Sequence, residues 1–426
     1  MSDIRKVAIV GGNRIPFVRS NTSYSHASNM QMLTAALQGL VQRFDLEGER
    51  LGEVAAGAVM KHSKDFNLAR EATLDSGLSP QTPAYDVQQA CGTGLEAAIL
   101  VANKIALGQI DSGIAGGTDT ASDAPIALNE KYRQMILSLN RAKTLGQRLR
   151  ALASIRPSFM APSLPANAEP RTGLSMGQHC ELMVKEWGIS REEQDQLTYH
   201  SHQNLIAAYE QGFFDDLICA FNGVERDGIM RNTPLEKLAT LKPAYDRENG
   251  TLTAANSTTL TDGAATVLLA SEQWAHERNL PVMAYLAHSE VAAVDFYSKG
   301  EQSEGLLMAP AYAVPRMLAR AGLTLQDFDF YEIHEAFAAQ ALCTMKAWED
   351  KNFCVDKLGL DGPLGSIDRT KLNVNGSSVA TGHPFAATGP RIIATLAKLL
   401  EQKGSGRGLI SICAAGGQGV TAIIER

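Results

Sequence analysis

Apolar and polar positions along the chain alternate between two periods. Residues 7–10, Val-Ala-Ile-Val, form a continuous apolar run closed by Gly11-Gly12, which predicts a buried strand ending there. Residues 29–44 carry apolar positions at helical spacing and predict an amphipathic helix, and a second strand-like run, Val54-Ala-Ala-Gly-Ala-Val59, follows. Strands alternating with helices predict an α/β fold with a largely parallel sheet.

Two later segments share one plan. Over 85–120, a strand-like Tyr85-Asp-Val-Gln-Gln-Ala90 leads to Cys91-Gly-Thr-Gly94. A helix of small and apolar residues is predicted over 95–107, then a strand, Ser112-Gly-Ile-Ala115, ended by Gly116-Gly117. Over 374–419, Val374-Asn-Gly-Ser-Ser-Val379 leads to Gly382-His383-Pro384. A helix is predicted over 390–401, then Gly408-Leu-Ile-Ser-Ile-Cys413, ended by Gly416-Gly417. The recurrence reads as an internal duplication, each half presenting one reactive side chain just before a helix. Two unrelated strand–helix–strand pieces would share the same order.

Residues 123–250 break the pattern. They are polar and Pro-containing, notably at Ala161-Pro-Ser-Leu-Pro-Ala-Asn-Ala-Glu-Pro170, and predict an inserted, mostly helical subdomain. Within it, 131–156 carries seven basic residues (Lys131, Arg133, Arg141, Lys143, Arg148, Arg150 and Arg156), with Leu and Ile between them and no acidic residue. Such a stretch fits a membrane surface, a partner subunit or ligand phosphates; a solvated helix face would carry it equally.

Composition removes several classes. A chain of 426 residues that is 45% hydrophobic, with a net charge of -7, is not disordered and is no general nucleic-acid binder. Its length suits two or three folding units. Six Cys, the nearest two eleven positions apart, make neither a disulfide framework nor a C-x-x-C zinc site, so a reduced, cytosolic compartment is expected. The opening Met1-Ser-Asp-Ile-Arg-Lys6 lacks the apolar core of a signal peptide. No apolar run reaches the roughly 18 residues of a membrane span.

The candidate chemistry sits where strands give way to helices. Cys91 is expected at a helix N-terminus, where the dipole and unpaired N–H groups favour a thiolate nucleophile; a buried, inert Cys is the alternative. His383 holds the matching place in the second half and could take the Cys91 proton. Cys413 ends a buried-looking strand before Ala414-Ala-Gly-Gly-Gln-Gly419, a small-residue loop able to offer N–H groups to an oxyanion. His334 follows the strand Phe328-Asp-Phe-Tyr-Glu-Ile333 and is expected to begin a helix; Glu335 beside it cannot face the same way. Two patterns are decoys. His200 and His202 are two apart on a helix and point away from each other, and Gly173-Leu-Ser175-Met-Gly177 matches a nucleophile elbow without a preceding strand.

Taken in order, Cys91-Gly-Thr-Gly-Leu-Glu-Ala97, His334-Glu-Ala-Phe-Ala338, Gly382-His383-Pro384 and Cys413-Ala-Ala-Gly-Gly-Gln-Gly419 resemble the thiolase family over nearly the whole chain. Thr251-Leu-Thr-Ala-Ala-Asn256 with Asp262-Gly263 adds to the likeness. The long insertion and the His at 334, where most family members have Asn, look most like the β-subunit type of the fatty-acid β-oxidation complex. The resemblance implies a five-layered αβαβα fold of two duplicated halves: 1–122, a loop domain at 123–249, a return at 250–272, and a C-terminal half at 273–426. It implies a 3-ketoacyl-CoA thiolase in which Cys91 carries the acyl group and His383 activates it. Cys413 would protonate the acetyl-CoA enolate, and the N–H groups of Cys91 and Ala415 would cradle the tetrahedral oxyanion. His334 would stand in for the Asn of the enolate hole. Met176, Tyr245, Ala254, Thr258, Met308, Ala336 and Phe337 would line the CoA pantetheine, with Arg231 at its phosphates. Ser175 stands where short-chain members have His. The resemblance further implies acyl-CoA and CoA as substrates, no metal or other cofactor, and a homodimer or homotetramer. A hydratase/dehydrogenase partner could dock on 131–156. A short-chain acetoacetyl-CoA thiolase and a non-catalytic acyl-CoA-binding scaffold are the alternatives.

Overall fold

The computed structural model describes residues 4–298, 300 and 303–426; residues 1–3 of the expected N-terminal half, part of the opening read for a leader, lie outside these. The first half comprises β1 (Val7–Arg14), β2 (Val18–Arg19), α1 (Asn29–Arg43), β3 (Glu53–Ala56), α2 (Leu68–Leu74), β4 (Ala84–Asp86), α3 (Thr93–Ala106) and β5 (Ser112–Asp119). Five helices follow without a named strand: α4 (Glu130–Arg141), α5 (Leu145–Ala153), α6 (Met176–Trp187), α7 (Arg191–Glu210) and α8 (Leu235–Ala239). The chain then returns through β6 (Thr261–Ser271), α9 (Glu272–Glu277) and β7 (Ala284–Ala293). It ends with α10 (Ala309–Ala321), β8 (Phe330–Ile333), α11 (Ala338–Glu349), α12 (Ser378–Thr381), α13 (Thr388–Lys403), β9 (Arg407–Ala414) and β10 (Gln418–Glu425).

The strands run β4-β3-β5-β6-β1-β7-β10-β9-β8, with β2 beside β6. The halves join where β1 meets β7, through Ala8–Tyr285 and Ile9–Ala284. Only β3/β4, β3/β5 and β8/β9 are parallel, so the largely parallel sheet expected from the alternation is a mixed one. The reason is local at one edge: Gly416 and Gly417, at φ 78° and 71°, make a tight turn between β9 and β10, and a turn that short joins only antiparallel strands.

Burial defines the layers. Helices α3 and α13 lie back to back, Ile99 and Ile105 sharing one buried cluster with Ile392 and Leu396, with Ile9 of β1 and with Val420 of β10. Outside the first half, Leu33, Leu37 and Leu40 of α1 cover Val10 and Leu268. Outside the second, Val314 of α10 and Leu342 of α11 cover Tyr331 and Leu409, with Met183 of α6 against them. Helix, sheet, helix, sheet, helix is the five-layered order.

Two strands outrun their expected ends. β1 passes through Gly11-Gly12 to Arg14, its register against β6 shifting between Ile9 and Gly11 as at a bulge. β5 passes through Gly116-Gly117 to Asp119. A Cβ on Gly117 would lie 2.0 Å from the Ala386 carbonyl oxygen. These glycines are therefore no stop signal; each lets a neighbour come close, Phe44 at Gly11, Ala394 of α13 at Gly12 and the Ala386 loop of the other half at Gly117. In the insertion, α5 has no buried residue, and its Leu145, Leu149 and Leu152 are 73%, 58% and 44% exposed. No helix among the described residues is long and apolar enough to cross a membrane.

Candidate active site

Cys91 sits in a tight turn between β4 and α3. The Thr93 hydroxyl closes that turn, accepting from the Gln89 N–H at 2.8 Å and donating to the Ala90 carbonyl at 2.7 Å. Ala90 is held at φ 47°, a left-handed conformation costly for a residue with a Cβ and common where a structure fixes a reactive neighbour. Helix α3 begins two residues after Cys91.

His383 arrives from the second half. Its N–H donates to Thr261 Oγ1 at 3.2 Å, its Nδ1 lies 2.6 Å from Thr388 Oγ1, and its Nε2 lies 3.1 Å from Cys91 Sγ. With the thiol donating to Nε2, the ring proton belongs on Nδ1, toward Thr388. The loop after His383 is tied across the halves by Asp119 at the end of β5. Its Oδ2 accepts from the Ala386 N–H at 2.9 Å, while Oδ1 accepts from Val59 and Met60.

Burial governs the protonation of the pair. It pushes the Cys91 thiol up to about 12, outweighing the Ala415 and Cys91 N–H groups that favour the anion. It pulls His383 down to about 3, with the Arg391 charge adding to the effect. Both shifts favour a neutral thiol and a neutral imidazole, against the thiolate expected at the helix N-terminus, where burial exceeds the backbone N–H groups that favour the anion.

His334 is fully buried directly after β8, and α11 begins only at Ala338, so His334 is not the first residue of a helix as expected. The extended Phe337 intervenes and delays it. The His334 ring lies 4.2 Å from the His383 ring, centroid to centroid. Its Nδ1 is 2.7 Å from Ser378 Oγ, and that oxygen also accepts from Arg391 at 2.8 Å. A guanidinium can only donate, so of these two partners His334 Nδ1 is the one able to take the Ser378 hydrogen; with that hydrogen given, the imidazole proton sits on Nε2. That Nε2 is buried with no partner among the described residues. Two adjacent imidazoles thus hold opposite tautomers, one offering a lone pair and one an N–H. Glu335 turns away, as expected: it accepts from Ser201 at 2.8 Å and from Asn373 at 2.7 Å.

Cys413 is buried near the end of β9, close enough for a Cys91 charge to raise its pKa, after burial, well above the ordinary thiol range. The Ala415 N–H reaches toward Cys91 Sγ. The next N–H, of Gly416, donates to Glu169 Oε1 at 2.8 Å, which fixes the loop. The site therefore brings together a thiol against an imidazole, two backbone N–H groups, a second imidazole and a second thiol. That is the equipment of acyl transfer with carbanion stabilisation.

Most of the expected pantetheine residues come together. Tyr245 packs on Gly177 beside Met176, and its ring lies 5.8 Å from that of Phe337. Thr258 donates to the Ala336 carbonyl through its N–H and its hydroxyl, at 3.0 and 3.1 Å. Met308, Ala336 and Phe337 belong to one buried cluster, and Ala254 is exposed nearby in the chain. Arg231 lies apart, its N–H on His202 Nδ1 at 3.2 Å and its guanidinium close enough to Arg19 for like-charge repulsion to add to burial in lowering its pKa. Ser175 caps α6, accepting from the Gln178 N–H, and is no nucleophile.

Sequence reasoning missed Thr388, Ser378, Arg391, Thr261, Asp119 and Glu169. Their contacts span distant positions, and only Thr388 and Ser378, five residues either side of His383, carried a signal of proximity.

The fold and site define the class, an acyltransferase built from two α/β halves. Residues 7–273 match the family described as thiolase, N-terminal domain, and residues 288–426 match thiolase, C-terminal domain. The chain belongs to the thiolase family. A 3-ketoacyl-CoA thiolase of Pectobacterium atrosepticum is 40% identical over 427 residues, covering 99% of this chain and 96% of the relative. One of a Shewanella species is 39% identical, covering 99% and 97%. Among solved structures, human mitochondrial 3-ketoacyl-CoA thiolase superposes with a TM-score of 0.81 at 27% identity over 99% of both chains. Bacillus anthracis acetyl-CoA acetyltransferase gives 0.82 at 29% over 100% of both.

Proposed function

We propose that this chain is a 3-ketoacyl-CoA thiolase, cleaving 3-ketoacyl-CoA with CoA to acetyl-CoA and a shortened acyl-CoA. The observation that carries it is the 3.1 Å contact of Cys91 Sγ with His383 Nε2, next to the unpartnered Nε2 of His334. As Sγ attacks the 3-keto carbon, the thiol proton passes to His383. The oxyanion forms against the Cys91 and Ala415 N–H groups. Its collapse breaks the C2–C3 bond, leaving acyl-Cys91 and the acetyl-CoA enolate. The enolate oxygen meets two N–H donors, His334 Nε2 and the newly protonated His383 Nε2, while Cys413 gives its proton to the enolate carbon. Cys413, now a thiolate, takes the proton of incoming CoA, whose sulfur attacks acyl-Cys91, and Cys91 regains its proton through His383.

The reading needs no resident metal or cofactor, since side chains supply each proton and the nucleophile; CoA is a substrate. Met176, Tyr245, Ala254, Thr258, Met308, Ala336 and Phe337 are assigned to its pantetheine, and Arg231, with Arg19, to its phosphates. Three further assignments belong to it. Self-association as a dimer or tetramer is supported by β4, an edge strand leading straight to the nucleophile turn. A partner subunit or an anionic surface on 131–156 is supported by the exposed leucines among its basic residues. A cytosolic setting is supported by six unpaired thiols.

The Bacillus anthracis acetyltransferase likeness keeps one second reading, a thiolase confined to acetoacetyl-CoA. Thiolysis rate measured against acyl chain length, with Cys91→Ala as control, separates them. Activity on long chains is expected. Activity on acetoacetyl-CoA alone selects the second reading, and no Cys91-dependent turnover leaves a binding scaffold.

A further inference from the structure

The same pocket presents a donor set that acyl transfer does not exhaust. Cys91 Sγ and one ring nitrogen each of His334 and His383 lie within 4.8 Å of one another. His383 Nε2 points at the sulfur, and His334 Nε2 is buried with no partner. Both rings are fixed at Nδ1 by hydroxyls, Thr388 on one and Ser378 on the other. A metal-binding imidazole donates its far N–H to such an outer partner; His383 already stands so toward Thr388, and His334 does so toward Ser378 once its proton moves from Nε2 to Nδ1.

We propose that Cys91, His334 and His383 form a site for a borderline-soft divalent cation, Zn²⁺ in particular, whose occupation reversibly blocks catalysis. One thiolate and two imidazoles suit zinc and are poor ligands for Mg²⁺ or Ca²⁺. Zinc–sulfur and zinc–nitrogen bonds of about 2.3 and 2.1 Å set neighbouring donors about 3.5 Å apart in a tetrahedron. Binding would draw the present spread of up to 4.8 Å in to that distance. The fourth position stays open to water.

The balance is simple. The Cys91 S–H bond breaks, its proton leaves to solvent, and a Zn–S bond forms. His383 needs no change of tautomer. The His334 proton moves from Nε2 to Nδ1, and the Ser378 oxygen accepts it with its second lone pair, the first staying on Arg391, while the Ser378 hydrogen rotates off the ring. No oxidant or reductant is involved. With its sulfur on zinc, Cys91 cannot attack an acyl carbon. That binding blocks turnover rests on the roles proposed above; that the cation binds does not.

The test uses the full-length protein in chelator-free buffer, with Zn²⁺ followed by calorimetry and Co²⁺ as the spectroscopic probe. One Zn²⁺ per chain is expected, with a thiolate-to-cobalt absorption band that Cys91→Ala abolishes. Zn²⁺ should protect Cys91 from alkylation by iodoacetamide. His334→Asn and Ser378→Ala should weaken binding about 10–100-fold, whereas Cys413→Ala should leave it unchanged. Retained binding in His334→Asn, or its loss in Cys413→Ala, would overturn the site in favour of a Cys91–Cys413 pair. Zinc that binds as described yet leaves thiolysis untouched would overturn the inhibition and, with it, the catalytic role of Cys91. Circular dichroism of each variant separates loss of ligand from loss of fold.

Discussion

Replacing Ser378 by Ala removes the hydroxyl between Arg391 and His334. The His334 Nδ1 then loses its donor, and the tautomer with a proton on Nε2 loses its support. The expected outcome is a fall in kcat of about tenfold with little change in KM, since the affected N–H acts only once the enolate forms. His334→Ala, which removes the donor itself, should cost about 10²–10³ in kcat. Steady-state kinetics on both variants, with Ser378→Thr restoring most of the Ser378→Ala loss, checks the account; a KM effect alone would contradict it. At this scale the sequence was legible where chemistry is rare by type. Cys91, His383 and Cys413 stood out because a thiol or imidazole beside glycines at a strand–helix junction has few uses. Ser378, Thr388 and Arg391 did not, because a hydroxyl or a guanidinium has many, and their role depends on which ring each one touches. The shift of Cys91 ran against the expectation for a related reason: the N–H groups at a helix start are local, while the burial that opposes the thiolate comes from what the whole fold packs around the thiol.

At the scale of elements, the two halves share one device, a reactive side chain just before a helix. What aligns the two is the carboxyl of Asp119, reached only because β5 runs on through Gly117. Burial raises this carboxyl to about 7, against three backbone N–H donors that favour the anion. A raised carboxyl binds its proton more tightly in the folded chain than in the unfolded one. Its contribution to stability is therefore full below about pH 4 and is lost as pH rises through 7. Asp119→Asn replaces Oδ2 with an NH₂ that faces the Ala386 N–H, so it should destabilise the protein by roughly 1–3 kcal/mol. The amide does not titrate, so the deficit relative to wild type should shrink by roughly 2 kcal/mol between pH 5 and pH 7.5. Urea unfolding at the two pH values measures it; a deficit that widens would contradict the raised carboxyl. The sequence pattern placed the helices and strands of both repeats to within a few residues. It misplaced the ends of β1 and β5 because glycine was read as a stop, where at Gly117 it permits close approach of another chain segment. Sheet direction was beyond the pattern, since apolar runs look alike in parallel and antiparallel neighbours.

At the scale of the whole molecule, the basic helices of the insertion are its most exposed part, α5 with no buried residue. Reversing Arg141, Lys143, Arg148 and Arg150 to Glu should abolish co-purification of a partner, or pelleting with anionic vesicles, without altering thiolysis of a soluble short-chain substrate. Unchanged association would remove that role from the segment. The central claim is that Cys91 carries the acyl group. It is tested most directly by mixing the full-length protein with one equivalent of a long-chain 3-ketoacyl-CoA in the absence of free CoA and analysing peptides by mass spectrometry. The account predicts release of about one acetyl-CoA per site and a shortened acyl mass on the peptide bearing Cys91, removed when CoA is added. Acetyl-CoA release with the acyl mass on another residue, or no adduct at Cys91, would contradict it.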